Sequence, residues 1–86
     1  MSHHDTRMSQ TDTLNAIRTR VEAAIPGAQV EVQGGGGYFA IRVVSEQFEG
    51  KRTLQRHRMV YSAIAELMKG DDAPVHAVDR LDTRVP

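Results

Sequence analysis

Four cations lie close together in the chain between residues 51 and 58. They are Lys51, Arg52, Arg56 and Arg58. The spacing places them at the entrance and in the first turns of a predicted helix, where the helix dipole disfavours each cation by roughly 0.3–1 kcal/mol. Four cations at the unfavourable N-terminal end of a helix indicate a binding site for an anion, which could be phosphate, a cofactor carboxylate or an acidic protein surface. The alternative is that Lys51 and Arg56 extend into water and pair with Glu46 or Glu49. Such exposed ion pairs contribute little to the stability of the fold.

The chain has four histidines, and His76 lies where a loop meets the start of the last predicted strand. Imidazole binds metals and titrates near neutral pH. From position alone, a hydrogen-bonded or solvated ring is favoured over a metal ligand. His3 and His4 are adjacent in a polar tail, where solvation is expected. His57 falls in the apolar stripe of a helix, where a hydrogen bond to the hairpin or to a backbone carbonyl is expected.

A run of four glycines separates two predicted strands. These residues are Gly34, Gly35, Gly36 and Gly37. Phosphate-binding glycine loops lie between a strand and a helix, whose N-terminus helps to hold the anion. Because this run joins two strands and no Lys-Ser/Thr follows, we predict a flexible hairpin tip rather than a phosphate site. Backbone without side chains allows a partner to approach closely.

The composition argues against an enzyme. The chain contains no cysteine, so it has no disulfide, no thiolate metal ligand and no thiol nucleophile. Ser45 and Ser62 lack any serine-hydrolase signature, and the carboxylates are scattered over polar positions. Eleven basic residues balance eleven acidic ones, so no global field attracts nucleic acid or membrane.

A length of 86 residues allows one small domain. No apolar run approaches the roughly 18 residues of a membrane span, and the first ten residues lack a signal-peptide core. We therefore predict a soluble cytoplasmic protein that does not bind membranes. The polar opening MSHHDTRMSQ predicts a disordered tail over residues 1–10, which leaves residues 11–86 for the domain.

Two helices are predicted from apolar residues at spacings of three and four. The first starts near the N-cap residues at 11–13 and ends at Pro26 and Gly27. Its stripe consists of Leu14, Ile17, Val21 and Ile25. The second runs from 53 to 69, and Gly70 ends it. Its buried stripe consists of Leu54, His57, Val60, Tyr61, Ile64, Leu67 and Met68.

Residues 28–33 and 38–44 alternate apolar and polar side chains, which is typical of strands in a hairpin with a loop of about four residues. The second strand has apolar residues on both faces and is predicted to be central. Residues 75–81 form the last strand. The connection at 45–50 is turn-rich, and Phe48 is expected to plug the junction between helix and sheet.

The predicted fold is α/β (α+β), in the order α-β-β-α-β. A right-handed crossover from the second strand to the third places both helices on one face of a three-stranded mixed sheet.

Several motifs together resemble the BolA family. They are the stretch FAIRVVSEQFEGKRTLQRHRMVY from Phe39 to Tyr61, VHAV at 75–78 and the closing DTRVP. The resemblance covers residues 14–86, and it implies a small domain similar to the class II KH topology.

The resemblance implies partnership with a monothiol glutaredoxin, in which the two proteins share a [2Fe-2S] cluster. The cysteine of the glutaredoxin and a glutathione ligate the cluster from one side, and His76 matches the histidine that the family uses from the other. Replacing thiolate by nitrogen raises the cluster potential. The isolated chain is then expected to hold no cofactor and to be a monomer or a weak homodimer.

The chain departs from the family in the hairpin loop. Many members place a second Cys or His there, whereas this chain has the four glycines followed by Tyr38. The cluster is then held by His76 alone from this side, or is completed by water or by a partner residue; the rarer alternative is ligation by the Tyr38 phenolate. The glycine loop and Tyr38 are predicted to face the partner.

The family also implies nucleic-acid binding, because some members regulate transcription in stress and cell shape. KH domains hold backbone with a Gly-x-x-Gly loop between two helices, but residues 48–51 here read Phe-Glu-Gly-Lys. Through Lys51, Arg52, Arg56 and Arg58, this alternative predicts weak, salt-sensitive binding of DNA.

Overall fold

A computed structural model describes residues 9–86 of the protein, so His3, His4 and most of the predicted tail lie outside the described residues. The elements are α1 (Gln10–Ala24), β1 (Gln29–Gly35), β2 (Tyr38–Val44), α2 (Thr53–Ile64) and β3 (Ala77–Arg84), with short 3-10 turns at Glu46–Phe48 and Ala65–Met68. This confirms the predicted order α-β-β-α-β. Within residues 9–86, no helix combines the length and the apolar character needed to cross a membrane.

The sheet has the order β1-β2-β3, so the prediction of a central second strand is confirmed. β1 pairs with β2 antiparallel, and β2 pairs with β3 parallel. Alternate residues of β2, namely Phe39, Ile41 and Val43, are buried, because side chains along a strand point to opposite faces.

The core lies between this face of the sheet and the two helices. Ile17, Val21 and Ile25 come from α1 and the turn after it, and Val60 and Ile64 come from α2; all are fully buried. Phe48 is also fully buried, which confirms its predicted position as a plug.

Helix α1 begins two to four residues earlier than predicted. Ser9 is the N-cap, since its Oγ accepts a hydrogen bond from the Asp12 backbone N–H at 3.1 Å. The Thr13 hydroxyl donates to the Ser9 carbonyl and is buried. The N-cap signal at 11–13 was wrong because a serine two residues upstream competes for the same role.

Helix α2 is shorter than predicted, and two residues that were predicted to be buried are exposed. It ends at Ile64 and tightens into a 3-10 turn, whereas the prediction extended it to residue 69. Leu54 is 61% exposed and Tyr61 38% exposed, so their assignment to the buried stripe was wrong. Val60, Ile64 and Leu67 follow a spacing of four and three and face the sheet, whereas Leu54 and Tyr61 lie about 100° or more around the helix.

The hairpin is tighter than the predicted four-residue loop. β1 continues to Gly35 and β2 starts at Tyr38, which leaves only Gly36 and Gly37 in the turn. Their φ angles are 64° and 89°, and positive φ at both central residues is the requirement of a type I′ turn.

Strand β3 is displaced from the predicted 75–81 toward the C-terminus. It pairs along the whole of β2, from Tyr38 opposite Ala77 to Val44 opposite Arg84. Asp82 and Arg84, near its end, pair with Arg42 and Val44, so their polar side chains fit a strand by lying on the face opposite the buried Ile41 and Val43. His76 therefore immediately precedes the strand.

An ion-pair cluster on the helix-free face joins β2 and β3. Asp82 accepts from Arg42 Nε at 3.3 Å and from Arg84 Nε at 3.0 Å. These contacts hold the pKa of Asp82 below its ordinary value; the hydrogen bond from Arg84 is the largest cause, and partial desolvation opposes it.

We expect Arg84→Ala to raise the pKa of Asp82 more than Arg42→Ala does, as measured by an NMR titration of the carboxyl carbon. The carboxylate of Asp82 is favoured in the folded state, so its stabilising effect is present above the unfolded pKa and is lost as the pH falls through the lowered one. A larger shift with Arg42→Ala would contradict the stated order of causes.

Candidate functional site

His76 lies at one end of the sheet, between the buried Val75 and the first residue of β3, and its side chain is exposed. Its backbone N–H donates to the Gly37 carbonyl at 2.7 Å, and the N–H of Ala77 donates to the same oxygen at 3.1 Å. The Val75 N–H donates to the Leu67 carbonyl at 3.0 Å. The backbone around the imidazole is thus fixed on both sides, while the ring remains accessible to another molecule.

The imidazole of His76 packs directly against the hairpin turn. A Cβ atom on Gly37 would overlap the Cδ2 atom of the ring. The Tyr38 ring lies beside it, with centroids 6.0 Å apart and planes tilted by 47°, and Tyr38 is 53% exposed. Of the loop predicted to face a partner, Gly37 and Tyr38 are therefore the residues that meet His76.

The other glycines of the run have different surroundings. A Cβ on Gly36 would meet nothing within 4 Å, whereas one on Gly34 would meet the Tyr38 backbone. A Cβ on Gly35 would overlap the side chain of Gln10. Gln10 was predicted to lie in the tail; Ser9, a strong N-cap residue just before it, was the signal that α1 includes Gln10.

The predicted cation cluster divides into two parts. Arg56 is half-buried: its Nε donates to the Lys51 carbonyl at 2.9 Å, and its Cζ lies 5.7 Å from the centroid of the Phe48 ring. This guanidinium holds the segment before α2 in place. Lys51, Arg52 and Arg58 are exposed. Among residues 9–86 none of the four cations forms an ion pair, so the suggested pairing with Glu46 or Glu49 is not found.

The cations at the start of α2 and the His76 imidazole lie at opposite ends of the domain. Helix α2 begins after the Val44 end of β2 and leads back to the Tyr38 end, where β3 starts. Twelve helical residues span roughly 18 Å at 1.5 Å per residue. The two predicted sites therefore belong to different surfaces.

His57 is half-buried on α2. The predicted hydrogen bond to the hairpin or to a backbone carbonyl is not found: within the described part of the chain its imidazole has no hydrogen-bond partner. Because the ring is only half-buried, its polar tip can hydrogen-bond to water while the rest of the ring covers apolar surface.

The comparison with known families identifies the family of the chain. A family model described as BolA-like protein matches residues 10–85. The chain belongs to the BolA family. The human BolA-like protein 1 is 38% identical over 81 residues, which cover 83% of this chain and 56% of the human protein. The chain thus spans little more than half the length of the curated BolA relatives it matches.

Solved BolA structures have the same fold. A bolA protein homologue from Coxiella burnetii superposes with a TM-score of 0.68 at 34% identity and covers 81% of this chain and 86% of its own. The solution structure of BolA1 from Mus musculus gives a TM-score of 0.72 at 32% identity, covering all of this chain and 76% of the mouse chain. The two helices and the three-stranded mixed sheet are therefore the BolA architecture.

Proposed function

We propose that this BolA-family protein is a non-enzymatic, cytoplasmic adaptor in iron–sulfur cluster trafficking, and that it binds a monothiol glutaredoxin and shares a [2Fe-2S] cluster with it. The cluster is the cargo of the complex. The single observation that carries the proposal is the exposed imidazole of His76, held by its backbone at the end of the sheet. The motif resemblance supports it, because it implies that His76 corresponds to the histidine that the family uses.

The donor set of this chain fits one part of such a site. His76 offers a nitrogen ligand, and the thiolates come from the glutaredoxin and from glutathione, because this chain has no cysteine. The turn at Gly36 and Gly37 carries no side chain, so the backbone of a partner can come close to the ring. Nitrogen in place of thiolate raises the potential of the cluster and makes its ligation sensitive to pH.

The test is reconstitution of the protein with a monothiol glutaredoxin, glutathione, iron and sulfide. We expect a heterodimer whose visible absorbance and circular dichroism differ from those of the glutaredoxin homodimer, because one iron acquires a nitrogen ligand. A cluster-loaded glutaredoxin homodimer that is unchanged in mass and spectrum by added protein would contradict the proposal.

Gly37 is expected to position the imidazole. In Gly37→Ala the new methyl would occupy the space of the His76 ring, so the ring must move away from the hairpin turn. We expect displaced imidazole signals in ¹H–¹⁵N NMR spectra of the protein alone and an altered spectrum of the reconstituted heterodimer.

Gly36→Ala is the matched control for this substitution. Gly36 also has a positive φ but has open space at its Cβ position. Both variants carry the strain of a side chain in the left-handed region, roughly 1–2 kcal/mol, and only Gly37→Ala meets the ring. Equal displacement of the His76 signals in the two variants would refute a positioning role for Gly37.

A further inference from the structure

The outward face of α2 carries a row of residues that we call the α2 stripe. It consists of Leu54, Arg58 and Tyr61, spaced by four and three residues and therefore aligned on one side of the helix. Leu54 is 61% exposed and Tyr61 38%. Among residues 9–86 the only other large apolar side chain that is exposed is Tyr38, so two of the three exposed large apolar side chains lie on this stripe.

The charged side chains of α2 and of the two residues before it all have the same sign. Between Gly50 and Ala65 the sequence contains no aspartate or glutamate. Lys51 and Arg52 are exposed at the start of the helix, and Arg58 lies within the stripe. No ion pair compensates these three cations within the described residues. The helix dipole adds positive potential at the same end.

We propose that the α2 stripe docks an acidic amphipathic segment of another protein. Leu54 and Tyr61 would receive its apolar side chains, and its carboxylates would lie against Arg58 and the positive start of α2. Helices that bind in this manner present apolar residues at spacings of three, four and seven. The charges then fix the orientation of the bound segment, and the apolar contacts supply most of the affinity.

A protein segment explains the stripe better than a nucleic acid does. Phosphates require cations but leave an exposed leucine in water, whereas a protein helix buries it. The chain as a whole has no net charge, so long-range attraction to a polyanion is absent. The proposal does not rest on cluster sharing, since it assigns no role to His76.

The test uses the full chain and synthetic peptides. The probe is a fluorescent amphipathic peptide with leucines at helical spacing and glutamates beside them. One control peptide carries lysines in place of the glutamates, and another carries serines in place of the leucines. We expect only the first peptide to raise the fluorescence anisotropy in the micromolar range and to shift the NMR signals of Leu54 and Tyr61.

Variants separate the apolar part of the surface from the charged part. Leu54→Ala and Arg58→Glu are each expected to weaken binding of the acidic peptide by roughly tenfold. Arg20→Glu, a charge reversal at an exposed position of α1, should leave the affinity unchanged. Because the three positions are exposed, each variant should retain the fold. Thermal melting of each variant checks this.

Two results would overturn the proposal. The first is an acidic peptide that fails to bind or binds equally well to Leu54→Ala. The second is tight binding of duplex DNA that falls steeply with salt, by roughly −0.9 in the logarithmic slope per phosphate contacted, and that Leu54→Ala leaves unchanged while Arg58→Glu abolishes it. That second result would assign the surface to nucleic acid instead.

Discussion

Replacing His76 by alanine is expected to abolish the spectrum of the mixed complex. In the proposed adaptor, this imidazole is the ligand from the BolA-family chain, and no cysteine is present to replace it. Reconstitution of His76→Ala with the glutaredoxin, glutathione, iron and sulfide should therefore return the absorbance and circular dichroism of the glutaredoxin homodimer. Because the side chain is exposed, its loss should leave the melting temperature nearly unchanged.

The matched control for this substitution is His57→Ala. It also removes an imidazole, but from a half-buried position on α2. We expect this variant to form the mixed complex with its spectrum intact, even where its stability falls. If His76→Ala kept the heterodimer spectrum, or if His57→Ala lost it while remaining folded, the assignment of the ligand would be wrong.

Replacing Phe39 by alanine is expected to destabilise the protein by about 3–5 kcal/mol, measured by chemical denaturation. Phe39 is 2% exposed and lies in the central strand, where the core from both helices covers it. A domain of this size has a total stability of only about 5–15 kcal/mol, so the variant would lose a large part of it.

Leu54→Ala supplies the contrast, because it also shortens a large apolar side chain but at a position that is 61% exposed. Its effect on stability should stay within about 0.5 kcal/mol. Equal losses for Phe39→Ala and Leu54→Ala would mean that the assignment of the buried faces is wrong.

The buried face of the central strand could be predicted because a period of two leaves little choice of face, whereas the range of β3 could not. Phe39, Ile41 and Val43 alternate with more exposed residues, and each is buried as the pattern requires. The buried residues of α2 were harder to predict, because seven candidate residues are too many to lie on one face of a helix. Only contacts with the sheet decide which of them are covered, and those contacts are distant in sequence.

The candidate site, too, could be predicted only in part, because some of its features depend on contacts between residues distant in sequence. His76 could be singled out only through the family resemblance, because its position in the chain favours solvation. Its contact with Gly37 is invisible to local pattern, since the two residues meet through the pairing of β2 with β3. The role of Arg56 also depended on a packing contact, namely its position over the Phe48 ring.

The parallel pairing of β2 with β3 has a consequence for biosynthesis. Partners such as Arg42 and Asp82 are 40 residues apart in the chain, and the central strand keeps one unpaired edge until β3 joins it. When only α1, the hairpin and α2 have been translated, the sheet still lacks β3. The unpaired edge of β2 is then prone to pair with other chains. His76 reaches its place at the end of the sheet when β3 pairs with β2, so in the proposed adaptor an immature chain would lack the positioned cluster ligand.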